Sequence, residues 1–312
     1  MYLIFALLSA IFAAIVSILT KIGMKNIDSD VGTFLRTIVV LFFTWIIVII
    51  TKEYDFSSLN WFNSLFIILS GLMTGLSWIF YFKALKLGNA NKVAPIDKSS
   101  VILSILFSFL ILNEAICLNN LLGLVLIGTG TFLMIEKKDI HEENTKKTNS
   151  WIIYAVLSAV FAALTGILGK IGVNDVPSNL ATALRTIVVL ISSFLILVFT
   201  KKLPKIKEVK RKDYLFLFLS GIATGLSWIF YYKALKDGIV NVVIAIDKLS
   251  IVFTIFFAFI ILKEKCSVKY LIGLVILVSG TLCIVFVPSV FEWQIWDKSF
   301  FDCLQYTFHL IQ

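Results

Sequence analysis

Apolar runs of about twenty residues recur along the whole chain, with few polar side chains inside them. That is the length a helix needs to cross the hydrocarbon of a bilayer. The pattern predicts spans at 2–24, 31–51, 62–83, 93–112 and 118–136. A second set is predicted at 151–173, 180–200, 213–235, 242–262 and 268–288. Between the sets, residues 137–150 read KKDIHEENTKKTNS, which is charged, lacks apolar periodicity and has the composition of a solvated linker. The first run starts at Tyr2 with no basic n-region and no clear cleavage site, so a membrane helix is expected there and not a removed leader.

The two sets are copies. Ser9–Gly23 is SAIFAAIVSILTKIG and Ser158–Gly172 is SAVFAALTGILGKIG; RTIVVL stands at Arg36–Leu41 and again at Arg185–Leu190. Ser70–Lys86 is SGLMTGLSWIFYFKALK and Ser220–Lys236 is SGIATGLSWIFYYKALK; Ile96–Ser100 is IDKSS and Ile246–Ser250 is IDKLS. Shared composition does not hold register over so many positions. Five spans per copy is an odd number, so the second copy enters the membrane from the opposite side. The expected fold is an all-α integral membrane protein of ten transmembrane helices in two inverted five-helix repeats. The repeats are residues 1–137 and 151–288, joined by a polar linker, 138–150, and followed by a tail, 289–312. Inverted repeats of this kind build two related gates around a midplane site.

Composition agrees with lipid as the solvent: 59% of residues are hydrophobic and 15% charged, against roughly 45–50% and 25% in soluble domains. The net charge of +9 lies mostly between the apolar runs. With no basic face or recognition motif, it speaks for membrane orientation and against nucleic acid. Cys117, Cys266, Cys283 and Cys303 fit no zinc or disulfide spacing, and His141 and His309 fall in the linker and the tail. No span carries a histidine or a nucleophile–base set, so no enzyme, metal or cofactor is expected.

The Ser70–Lys86 stretch with its copy, the IDKxS stretch, and the apolar runs ending in Asn113-Glu114 and Lys263-Glu264 resemble the EamA family of the drug/metabolite transporter superfamily. The resemblance covers nearly the whole chain apart from 289–312. It implies a ten-helix fold of two inverted units that exports or takes up small metabolites, and it implies no particular substrate.

Counting all Lys and Arg, with those inside spans assigned to the nearer face, gives 21 on the odd-to-even side and 7 on the other. The positive-inside rule then puts the odd-to-even loops in the cytoplasm and both termini outside, whereas the family resemblance more often implies both termini inside. The 2–3 loop TKEYDFSSLNWFN is nearly free of positive charge, while its copy, the 7–8 loop, carries seven such residues.

Arg36, Asp97 and Lys98 fall inside predicted spans, as do their copies Arg185, Asp247 and Lys248. Intramembrane charges of this kind mark functional sites or helix-locking pairs. Topology groups Lys21, Arg36, Lys83, Asp97 and Lys98 at one level, and Lys170, Arg185, Lys233, Asp247 and Lys248 at the opposite one. Each layer has four cations and one acid. Asp97 and Asp247 are expected to pair with a cation of their own layer and to open or close a gate. Neighbouring Asp and Lys project about 100° apart on a helix, so they are expected not to face the same way. On the fourth span Asp97, Val101, Ser104 and Ser108 form a polar seam, with a weaker copy at Asp247, Ile251, Thr254 and Ala258. Gly71/Gly75 and Gly221/Gly225 read as close packing or a moving interface. Trp78, Tyr81, Trp228 and Tyr231 read as cavity lining or interfacial anchors. Pro95 reads as a helix start, and the aromatic tail has no assigned role.

The expected function is that of a secondary transporter, an exporter of a small anionic or zwitterionic solute across the cell membrane by alternating access. Asp97 and Asp247 are the candidates for proton coupling. The alternative is a flippase or scramblase for lipid-linked molecules. The only partners expected are the solute and the lipid bilayer, with the chain a monomer or a homodimer.

Overall fold

A computed structural model describes residues 1–23, 27–87, 93, 96, 100–112, 118–134, 150–262 and 268–286. Helices occupy most of them. The first set comprises α1 (Tyr2–Gly23), α2 (Ser29–Thr51), α3 (Trp61–Leu87), α4 (Ser100–Leu112) and α5 (Leu118–Leu133). The second comprises α6 (Ser150–Val173), α7 (Ser178–Phe199), α8 (Arg211–Asp237), α9 (Val240–Asp247), α10 (Ser250–Leu262) and α11 (Val268–Phe286). Among the described residues there is no strand, and eight helical segments are long and apolar enough to cross a membrane. Two shorter apolar helices, α4 and α5, stand within the fourth and fifth predicted spans.

The ninth predicted span differs from expectation. It is broken between α9 and α10 at Lys248–Leu249. The backbone switches to tighter i→i−3 bonds there: Lys248 N–H donates to Ala245 O at 3.2 Å and Leu249 N–H to Ile246 O at 2.9 Å. Ile251 and Val252 then donate to Lys248 O at 3.1 Å and Leu249 O at 2.9 Å. A short 3₁₀-type stretch inside a helix re-aims the chain without glycine or proline.

Helices pack mainly across the two sets: α1 on α8, α3 on α6, α5 on α11, and α2 on both α7 and α8. Equivalent positions make equivalent contacts. Ser227 Oγ donates to Ser9 O at 3.1 Å, and its copy Ser77 Oγ donates to Ser158 O at 3.1 Å. Phe230 stacks between Phe5 and Phe12, as Phe80 stacks between Tyr154 and Phe161. Small residues set the closest approaches. A Cβ on Gly71 or Gly75 would meet Val188 or Ser192 of α7, and one on Gly221 or Gly225 would meet Val39 or Phe43 of α2. Such small-residue stripes let helices touch where lipid offers no hydrophobic drive. The α5–α11 crossing brings backbones together: a Cβ on Gly130 would lie 2.5 Å from Gly273 O, and one on Gly273 would lie 2.7 Å from Gly130 O.

The α2–α7 pair is fastened at both ends. Asp28 caps α2, accepting from the Asp30 N–H at 3.1 Å. Lys202, just past α7, bonds Asp28 at 2.7 Å and Asp30 at 2.6 Å. At the other end, Glu53, just past α2, accepts from the Asn179 N–H at 3.1 Å and from its side-chain amide at 3.0 Å. The start of each helix therefore meets the end of the other, and the two run antiparallel. Glu53 and Lys202 are equivalent positions, as are Asp30 and Asn179, and Lys52 and Lys201 both take φ 56° before the turn. Burial raises the Asp28 carboxyl, but hydrogen bonds from Lys202, the Asp30 amide and Lys205 outweigh it and hold the group below its ordinary 3.8. Burial likewise lowers Lys202, and its bonds to Asp28 and Asp30 outweigh that and raise it above 10.5. Large apolar side chains such as Phe42, Ile49, Phe132 and Phe199 are exposed on the outer faces, the surface a bilayer would cover.

Candidate functional site

A cavity of about 160 Å³ opens between α4 of the first set and α6, α8 and α9 of the second. Ser104, Thr165, Tyr231, Asp247 and Lys248 are among its lining residues. A cavity of roughly 150 Å³ takes a molecule the size of benzene, so this one suits a solute of few heavy atoms. The polar seam expected on the fourth span divides here. Val101 and Ser104 line the cavity, and Ser108 reaches across to bond the Asn241 side-chain carbonyl of α9.

Asp247 and Lys248 correct the expectation that they face apart. Their charged groups lie 3.7 Å from each other, each side chain about a quarter exposed, and both line the cavity. The four-carbon stem of lysine reaches back over the neighbouring turn, so reach outweighs the angle between adjacent Cα–Cβ directions. The other cations of that layer are engaged elsewhere. Lys170 donates to the carbonyls of Leu235, Lys236 and Gly238 at the end of α8, where the helix dipole favours a cation. Lys233 pairs with Asp237 one turn on, at 3.4 Å.

Arg185 has a different setting. It is 4% exposed, and its Nε donates to Ser70 Oγ at 3.1 Å and its Nη2 to Thr74 Oγ1 at 2.6 Å, both on α3. Trp228 and Tyr232 present their rings to it, each centroid 4.9 Å from Cζ. Its equivalent, Arg36, donates from Nη1 to Thr20 Oγ1 at 3.3 Å, and Thr20 lies 3.1 Å from Ser220 Oγ. Asp97 and Lys98 lie outside the described residues. Trp78 is half-buried, and Tyr81, like Trp151 and Tyr154 at the start of α6, packs against the buried cluster of Ala84, Val93 and Ala155. The sequence reading missed Ser70, Thr74, Thr165, Tyr232 and Asn241. The repeat itself held one clue, since Ser70 and Thr74 lie in the best-copied stretch, a helical turn apart.

Helices of spanning length around a small polar cavity define a multi-pass membrane protein. Residues 1–136 and 149–286 each match the model of the EamA-like transporter family, and the chain belongs to that family. An "Uncharacterized transporter in cobO 3'region" from Sinorhizobium sp is 43% identical over 133 residues, 41% of this chain and 92% of that protein, so that relative is about one repeat long. An "Uncharacterized transporter" from Archaeoglobus fulgidus is 22% identical over 285 residues, covering 91% of this chain and 97% of its own. A solved crystal structure matches with a TM-score of 0.75 at 15% identity, over 92% of this chain and 96% of that one. At that identity the likeness is one of fold.

Proposed function

We propose that this chain is a secondary carrier that exports a small solute across the cell membrane by alternating access between two inverted five-helix repeats. The observation that carries the reading is the cavity between the sets, with the Asp247–Lys248 ion pair on its wall. Antiparallel packing of the equivalent helices α2 and α7 supports the inversion, because one repeat laid upside down on the other produces that pairing. In this scheme the Asp247–Lys248 pair forms or breaks as one gate works. Asp97, Lys98 and Arg36 are its counterparts at the other gate, and Trp78, Tyr81, Trp228 and Tyr231 shape the path. Glycine stripes at 71/75 and 221/225 let α3 and α8 slide against α7 and α2. A carboxylate whose pairing depends on gate position also suits proton coupling.

Proteoliposomes holding the purified chain, screened with amino acids, nucleosides, sugars and lipophilic cations, test the reading. Saturable uptake of a panel member is expected. Asp247→Asn and Asp97→Asn should each abolish it while leaving the thermal unfolding of the protein intact. Full activity in both variants removes the gating role, and wild-type liposomes that accumulate no panel member remove the carrier reading.

A further inference from the structure

We infer that Arg185 sets substrate specificity by recognising a carboxylate on the transported solute. The inference rests on the carrier reading and adds to it the solute's chemical class. Among the described residues, Arg185 is a full charge held at membrane depth with neutral partners only. Two hydroxyls and two ring faces solvate the guanidinium and do not neutralise it. Its Nη1 is buried with no hydrogen-bond partner, and among the described residues no carboxylate comes within ion-pairing distance. An uncompensated buried cation is unfavourable, and an anion delivered by the solute would remove that penalty in the loaded state alone.

The placement fits that role. Thr74, which accepts from Nη2, lies 3.3 Å from Thr165 Oγ1, and Thr165 lines the cavity. The guanidinium is therefore two hydrogen bonds from the solute chamber. Tyr232, one wall of its cage, meets the cavity-lining Tyr231 edge-on, with centroids 5.5 Å apart. Asp247 and Lys248 neutralise each other, and Lys170 and Lys233 are held at the end of α8. The Arg185 guanidinium thus adds positive charge beside the chamber with no opposing carboxylate among the described residues. Its fork of donors matches a carboxylate in two-point contact. A single guanidinium balances the one charge of a carboxylate and not the roughly −1.5 to −2 of a phosphate monoester.

Four probes test this on the purified full-length chain, read by tryptophan fluorescence, since Trp228 stacks on the guanidinium. Valine, valinamide and 3-methylbutanoate share a carbon skeleton and differ in charge, and inorganic phosphate is the competing anion. Wild type should bind valine and 3-methylbutanoate at least tenfold more tightly than valinamide or phosphate. Arg185→Gln should shrink that preference to under threefold. Thr74→Val, which releases Nη2 from its neutral partner, should tighten acid binding at least threefold. A merely structural arginine would not govern an acid-over-amide preference. Equal binding of valinamide, a preference that survives Arg185→Gln, weaker acid binding in Thr74→Val, or no saturable response to any probe overturns the inference. If Arg185→Gln does not fold, the wild-type and Thr74→Val titrations decide. Wild-type uptake of a solute without a carboxylate sinks this inference and leaves the carrier standing, whereas failure of all uptake sinks the carrier.

Discussion

Removing the Lys202 ammonium strands the Asp30 carboxylate, which is 2% exposed, at the start of α2. At 2.6 Å and an effective dielectric of about 20, the attraction is about 6 kcal/mol before desolvation is charged against it. Stripping one partner from a buried pair costs roughly 3–5 kcal/mol. Lys202 keeps a fifth of its side chain in solvent, which places Lys202→Ala near the lower edge, about 3 kcal/mol. Lys205 does not rescue it, because it reaches only Asp28, at 3.2 Å. At about 2–4 °C per kcal/mol, the unfolding midpoint in detergent should fall by roughly 6–12 °C, followed by intrinsic fluorescence at a fixed scan rate. The double variant Asp30→Asn/Lys202→Met should recover most of the loss, since it leaves no unpaired charge and puts at position 30 the residue that Asn179 already supplies at the other end. The depressed Asp28 adds stability above its ordinary 3.8 that fades as pH falls through its lower folded value. The elevated Lys202 adds stability below 10.5 that fades as pH rises through its higher one. The contribution of these two groups to wild-type stability should therefore be flat between about pH 4 and 10.5. A drop under 1 °C in Lys202→Ala, or a double variant weaker than the single, would refute the reasoning.

Gly130→Ala should destabilise by about 1–3 kcal/mol, because its Cβ has no room against the α11 backbone. Gly128→Ala, whose Cβ meets only Ile102 at 3.7 Å, should be neutral or slightly stabilising by the same thermal assay; equal losses in both would count against the crossing. Glu208→Cys, in the exposed loop after α7, should resist impermeant thiol reagents in intact cells and react in inverted vesicles; ready labelling in intact cells would reverse the orientation given by the charge count.

Eight spanning segments were readable because lipid demands length and apolarity together. Contacts between the sets were not readable. Arg185 finds Ser70 and Thr74 at separations of 115 and 111 residues, and Lys202 finds Asp30 at 172. Nothing in VVIAIDKLSIVF marks the break after Asp247, because backbone bonding makes it without glycine or proline. Lys170 was grouped with the gate by depth alone, while its partners are carbonyls of a helix end, which side-chain chemistry does not announce. One signal was present and unused: Gly123/Gly130 and Gly273/Gly280 each lie seven apart, two helical turns, which puts both on one stripe for the α5–α11 crossing.

Pairing across the two sets imposes a delay during synthesis. Ser9 of α1 meets Ser227 of α8, made 218 residues later. At ribosomal speeds of roughly 5–20 residues per second, the first helix waits about 10–40 s for its neighbour. Through that interval the serine and glycine stripes of the nascent helices face lipid or the insertion machinery, so the early membrane intermediate is the stage most open to mispairing and quality-control capture.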